Sequence, residues 1–251
     1  MLVNQTVESL RRMKLTGMAE AFLAQTQDAG CRELSFEERF GFLVDRESTY
    51  REDRRLKRLL KEAHLKIQAC VEDIDYAHSR GLDRSVMAGL FACQWVRDHR
   101  NVLVTGPTGV GKTFICCALG NLACRNGFSS RYYRLPRLFM DLGIARGDGS
   151  YPSLLRKLAK TDLLILDDWG LGPLTSTESR ELLEALEDRC QTRSTVVASQ
   201  APVEKWYELM PDSTVADAVM DRLVHNAHKI ALRGESMRKI AAAGGEKGGG
   251  A

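Results

Sequence analysis

Asn101-Val102-Leu103-Val104-Thr105-Gly106-Pro107-Thr108-Gly109-Val110-Gly111-Lys112-Thr113 is the stretch on which the reading of this chain turns. An apolar run leads straight into the spacing G-x-x-x-x-G-K-[ST], and Thr113 to Cys124 then carry no charge. Strand, glycine-rich turn and helix in that order predict a phosphate-binding loop. Glycines allow successive N–H groups to close round phosphate oxygens, and the helix N-terminus adds a favourable dipole. Gly106, Pro107, Thr108, Gly109, Val110 and Gly111 would form the cradle. Lys112 would supply a point charge to the β- and γ-phosphates, and Thr113 a hydroxyl to Mg²⁺.

Downstream, Leu163-Leu164-Ile165-Leu166-Asp167-Asp168 is an apolar strand ending in two carboxylates. By themselves such acids more often begin a turn or cap a helix. Paired with the glycine loop they form the Walker B pattern, with Asp167 in the Mg²⁺ shell and Asp168 orienting or deprotonating the attacking water. A third strand, Thr195 to Ser199, ends at Gln200, which could place a hydrogen-bond donor between water and γ-phosphate. Ser199 and Gln200 could equally begin an ordinary turn. A kinase of a small substrate would also use such a loop, but the two acids and the third strand favour a hydrolase. No N-K-x-D guanine-reading element occurs, which makes ATP with Mg²⁺ the expected ligand pair.

Outward from this centre, short β-rich runs alternate with helical ones, the signature of an α/β fold with a parallel sheet sandwiched by helices. The expected strands are 102–105, 131–134, 163–166, 195–199 and 229–232; the expected helices are 113–125, 137–144, 153–158, 177–191, 203–210 and 214–224. Before them, Val7, Leu10, Met18 and Phe22 fall at helical spacing, Ser35-x-x-Glu38 reads as a capping box, and a charged helical run spans 45–66. These predict a small all-helical domain at 1–70, joined through the acidic segment Glu72-Asp73-Ile74-Asp75 to the nucleotide domain at 71–240. The Ala/Gly-rich tail at 241–251 is expected to be disordered.

The 251 residues, 44% apolar and 27% charged, exclude disorder throughout. No apolar run approaches the ~18–20 residues of a membrane span, and the start of the chain has no signal-peptide pattern, so the expected location is the cytoplasm without a membrane partner. Seven cysteines without a C-x-x-C suit buried thiols, and His225 with His228 is too sparse a pair for a metal centre.

Charge is unevenly distributed. Residues 125–160 carry eight basic side chains against two acids, whereas 161–200 carry three against eight. The basic block contains Arg131, Arg134, Arg137, Arg146, Arg156 and Lys157, candidates for salt-sensitive contacts to a DNA backbone, with a solvated helix face as the alternative. Tyr132, Tyr133 and Phe139 could stack on the bases of a single strand. Their place in a strand and on an apolar helix face favours the core instead.

With Asp167-Asp168-Trp169-Gly170, Asp221-Arg222-Leu223-Val224-His225-Asn226 and Gly234-Glu235-Ser236-Met237-Arg238-Lys239 in order, the chain resembles the IstB family, ATP-binding helpers of bacterial insertion sequences within the AAA+ helicase-loader and initiator clade. The resemblance implies an ATP-dependent homo-oligomer assembled on duplex DNA that recruits a partner transposase. It assigns Gln200 as sensor and Arg222 as the arginine finger reaching a neighbouring subunit's γ-phosphate. Pattern alone would make Arg222 a surface arginine paired with an acid. Arg238 is a candidate second phosphate sensor. Asp168 stands where AAA+ proteins usually have Glu, one methylene longer, which implies a slow ATPase acting as a timer. A DnaC-like loader holding single-stranded DNA is the nearest rival.

Overall fold

A computed structural model describes residues 2–28, 30–78, 80–237 and 239. It divides into two compact units, 1–58 and 59–251.

The first unit is helical: α1 (Leu2–Arg12), α2 (Thr16–Gln27) and the body of α3 (Phe36–Ala63). The Ser35 capping box forms, with Glu38 N donating to Ser35 Oγ and Ser35 N to Glu38 Oε2. No break separates the two expected runs, which fuse into the single 28-residue α3. Glu47 on α3 is buried and accepts from Met18 N at the start of α2 and from Arg51 Nε. That bond is possible because Gly17 has no side chain: a Cβ there would lie 2.8 Å from the Arg46 carbonyl oxygen. Phe36, Phe40 and Phe42 remain exposed.

The first compact unit ends at Arg58. Leu59 and Ala63 in the last turns of α3, and then Ala69, Val71 and Ile74, are buried within the second unit. The acidic segment expected as a linker is therefore a 3-10 turn, Val71–Asp73, held by apolar anchors on either side of its carboxylates.

The second unit continues with α4 (Arg84–Phe91), α5 (Gln94–Arg97), β1 (Asn101–Thr105), α6 (Lys112–Arg125), β2 (Ser130–Arg134), α7 (Leu135–Asp148) and α8 (Tyr151–Lys160). It ends with β3 (Leu163–Trp169), α9 (Ser176–Glu187), β4 (Ser194–Ser199), α10 (Ser213–Val224) and β5 (Ala227–Ala231). The sheet is wholly parallel in the order β2-β3-β4-β1-β5. Its interior strands alternate their side chains between two cores, as period-two geometry requires. Val102, Val104, Ile165, Val196 and Ala198 face a layer built by α4, α5 and α6, while Leu103, Leu164, Leu166 and Val197 face α7 to α10. These strands are near-continuous apolar runs because both faces are covered.

Two expectations change here. Helices α4 and α5 were not anticipated. The run 203–210 is two 3-10 turns, Val203–Lys205 and Tyr207–Leu209, rather than one helix. Between them Trp206 is buried against Trp169, and its Nε1 donates to Ser199 Oγ and Ala201 O, so a tertiary anchor overrides local helical spacing.

Candidate nucleotide site

The loop after β1 has the backbone its glycines permit. Gly106 takes φ +147° and leaves no room for a side chain, since a Cβ would sit 2.4 Å from the Leu232 carbonyl oxygen. Gly111 at φ +99° passes the chain into α6. Lys112, only 9% exposed, donates from Nζ to the Gly106 and Pro107 carbonyls, both at 2.7 Å. Burial lowers its pKa below the ordinary lysine value, opposed by the Asp167 and Asp168 carboxylates.

Asp167 lies at the end of β3, 2% exposed. Its Oδ2 accepts from Thr113 Oγ1 and from Tyr132 Oη, each at 2.7 Å, and its Oδ1 accepts from Asp168 N at 2.8 Å. Asp168 then adopts φ +62°, and the β3–β4 register shifts between Leu166 and Trp169. Such an irregularity re-aims a side chain at a strand end. Here the Asp168 carboxylate turns to the guanidinium of Arg134, which ends β2, and that bond raises the arginine's pKa. Gln200, just past β4, accepts from Thr108 Oγ1 at 2.9 Å.

Lys112, Thr113, Asp167, Asp168 and Gln200 thus line one cavity of about 600 Å³. Lys112 and the loop amides could hold a triphosphate, and Thr113 with Asp167 the hard cation that accompanies it, since both present oxygen. Asp168 would stand at the water side. Sequence reasoning missed several other lining residues: Lys66, Ile67, Asp73, Asp75, Arg80 and Phe114. Arg80 is buried, donates to the Val110 and Asp75 carbonyls, and braces the loop from the segment before β1. No local pattern announces it. Met237 closes the loop from the far end of the chain, its N–H bonded to the Gly109 carbonyl. Arg238 and the 241–251 tail lie outside the described residues.

The DNA-contact candidates scatter. Arg134 sits at the nucleotide cavity, Arg137 pairs with Asp141 one turn on, and Arg146 is held by Glu181 and Glu184 and lies 4.0 Å from the Tyr151 ring centroid. Arg131, Arg156 and Lys157 do meet, with Lys160, around a cavity of about 450 Å³ beside the starts of β2 and β3. Among the described residues no ion pair engages Arg156, Lys157 or Lys160. Tyr132 and Phe139 belong to the core, as their setting in the sequence favoured.

Arg222 lies on α10 near the starts of β1 and β4, lining a different cavity with His99, Arg193 and Asn226. It pairs with Glu187 at 2.5 Å and donates to the Ala218 carbonyl. Asn101 fixes this end of α10 by donating to the Arg222 and Leu223 carbonyls while accepting from Thr195 N.

Glycine loop, Walker B acids and the strand order with β4 between β1 and β3 define a P-loop domain of AAA+ type. The fold is shared with the crystal structure of DnaI (TM-score 0.56, 20% identity, covering 70% of this chain and 93% of that one). It is also shared with AMPPCP-bound DnaA from Aquifex aeolicus (TM-score 0.56, 18% identity, covering 74% and 57%). Residues 8–243 match the family described as IstB-like ATP binding protein, and the chain belongs to that family. An insertion-sequence ATP-binding protein of Sinorhizobium fredii is 48% identical over 239 residues, 95% of this chain and 98% of the relative. One from Pseudomonas fluorescens is 48% identical over 203 residues, 80% and 88%. One from Mycobacterium tuberculosis is 32% identical over 234 residues, 92% of each. No helix among the described residues is long and apolar enough to cross a membrane.

Proposed function

We propose that this protein is an Mg²⁺-dependent ATPase that assembles with ATP on duplex DNA and there recruits the transposase of its insertion sequence, hydrolysis setting how long the assembly lasts. The meeting of Lys112, Thr113, Asp167, Asp168 and Gln200 around one cavity, in a chain of an insertion-sequence ATP-binding family, carries this reading. Lys112 would neutralise phosphate charge, Thr113 and Asp167 would hold Mg²⁺, Asp168 would act on the water and Gln200 would sense the γ-phosphate. A bound Mg²⁺ supplies charge neutralisation on the transferring phosphoryl group.

Arg222 lines a cavity separate from its own glycine loop, which suits a finger that serves a neighbouring copy. Nucleotide would then cement one copy to the next. Arg131, Arg156, Lys157 and Lys160 supply a surface for phosphate backbones. A loader of single-stranded DNA would want aromatic faces free for bases, and Tyr132 and Phe139 are occupied in the core.

The test is light scattering and DNA binding of the whole chain with ATP and Mg²⁺, using duplex and single-stranded oligonucleotides over a salt series. Growth of a large species on duplex, absent in Lys112→Ala, is expected. A chain that stays monomeric and ignores duplex overturns the reading. Preference for single strands would favour the loader.

A further inference from the structure

We infer that Tyr132 is a positioning residue for Asp167 and, through it, sets how strongly the site couples Mg²⁺ to bound nucleotide. This rests on the Mg²⁺–ATP reading above and adds to it a residue that the phosphate-loop and acid motifs do not contain.

Tyr132 stands in the middle of β2, opposite Ile165 in the parallel register with β3, and only 8% of it is exposed. Its ring packs in the same core as Ile165, Leu119 and Cys116, so the phenol cannot swing away without opening that core. From this fixed base its hydroxyl donates to Asp167 Oδ2, the oxygen that also receives Thr113 Oγ1. A phenol carries one O–H and an ionised carboxylate only accepts, so the hydroxyl is the donor in this bond.

The three bonds to Asp167 divide the work. Asp168 N holds Oδ1, while Thr113 and Tyr132 share Oδ2. A hydroxyl has one hydrogen and two lone pairs. Because Thr113 directs its hydrogen at Asp167, its lone pairs are left for a cation. That arrangement needs a carboxylate that does not rotate, and Tyr132 is the rigid donor that stops it. Lys66 Nζ, 4.0 Å from the same oxygen and 40% exposed, is a loose fourth neighbour and cannot replace a fixed donor. Groups that orient a metal-side ligand in this way typically govern metal affinity by about 10- to 100-fold.

Tyr132→Phe removes the hydroxyl and keeps the ring. The experiment measures affinity of the full chain for a fluorescent ATP analogue in EDTA and across an Mg²⁺ titration, with a thermal melt alongside. Affinity in EDTA should stay within about twofold of wild type, while the Mg²⁺ concentration for half-maximal tightening rises by about 10-fold. In an Asp167→Asn background the Tyr132→Phe change should add nothing, as expected of a residue acting through Asp167. An unchanged Mg²⁺ midpoint, a shift that persists in full beside Asp167→Asn, or a Tyr132→Phe chain that fails to fold would each overturn the assignment, the last by making the phenol a bond of the fold alone. A wild-type chain whose nucleotide affinity ignores Mg²⁺ would sink the Mg²⁺–ATP reading itself, and this inference with it.

Discussion

At the carboxyl ends of β1, β3 and β4 the candidate-site side chains arrive in short runs of sequence: the loop from Gly106 to Thr113, the pair Asp167-Asp168, and Gln200. At the amino ends of the same sheet they come from unrelated elements. Arg131 on β2 meets Arg156, Lys157 and Lys160 of α8, and Arg222 of α10 meets His99 and Arg193 from two separate loops. Strands pointing one way bring their following loops together, so one short motif can carry a whole function there. The opposite end collects side chains from helix ends and strand starts, where charge is placed by packing rather than by a motif.

Substitutions at the two ends should separate chemistry in a chain's own nucleotide cavity from contacts made with DNA or with a neighbouring copy. Arg222→Ala should have the largest effect, reducing turnover of the DNA-bound assembly by about 10³-fold, the scale of a lost arginine finger. Nucleotide affinity of dilute, unassembled chains should not change; a loss there would mean that Arg222 serves its own site. Asp168→Asn should follow, slowing hydrolysis by about 100-fold while leaving duplex binding intact. Turnover that survives would make another group the base.

Arg189 tests whether the amino end depends on structure before charge. It is 1% exposed and donates to the Thr161 and Ser194 carbonyls and to Thr195 Oγ1, strapping α8 to the start of β4. Arg189→Met should cost about 3 kcal/mol by leaving those acceptors unpaired, visible as a lowered Tm without nucleotide. Arg156→Ala or Lys157→Ala should weaken duplex binding only severalfold and reduce the salt slope by about 1 each, with ATP affinity untouched. The smallest effect belongs to Thr175→Ala, which removes one side of the capping box at the start of α9 and should cost about 1 kcal/mol in thermal stability.

Where sequence and structure part, the reason is local. The glycine loop and the two acids could be picked out as a motif because each is a run of neighbouring residues, and the structure brings them to one cavity. The five strands were legible to within a few residues because buried parallel strands are unbroken apolar runs. The 203–210 helix was misread because its spacing cannot show that Trp206 is pinned to Ser199. Ala69, Val71 and Ile74 did not read as core residues because they stand among charges that suggest solvent. The basic block read as one surface because charge counted along the chain ignores direction. Arg134 and Arg131 lie three residues apart on β2, on the order of 10 Å in an extended strand, and line different cavities.

The sequence by itself determined the glycine loop, the pair of acids that follows the apolar run from Leu163, the α/β class and the family, because each is written in neighbouring residues. Only the tertiary structure decided that Arg134 faces Asp168, that Arg80 braces the loop and that the Tyr132 hydroxyl holds Asp167. Those are contacts between strands and segments far apart in the chain. Their geometry follows from the order β2-β3-β4-β1-β5 and its register, which no run of residues encodes on its own.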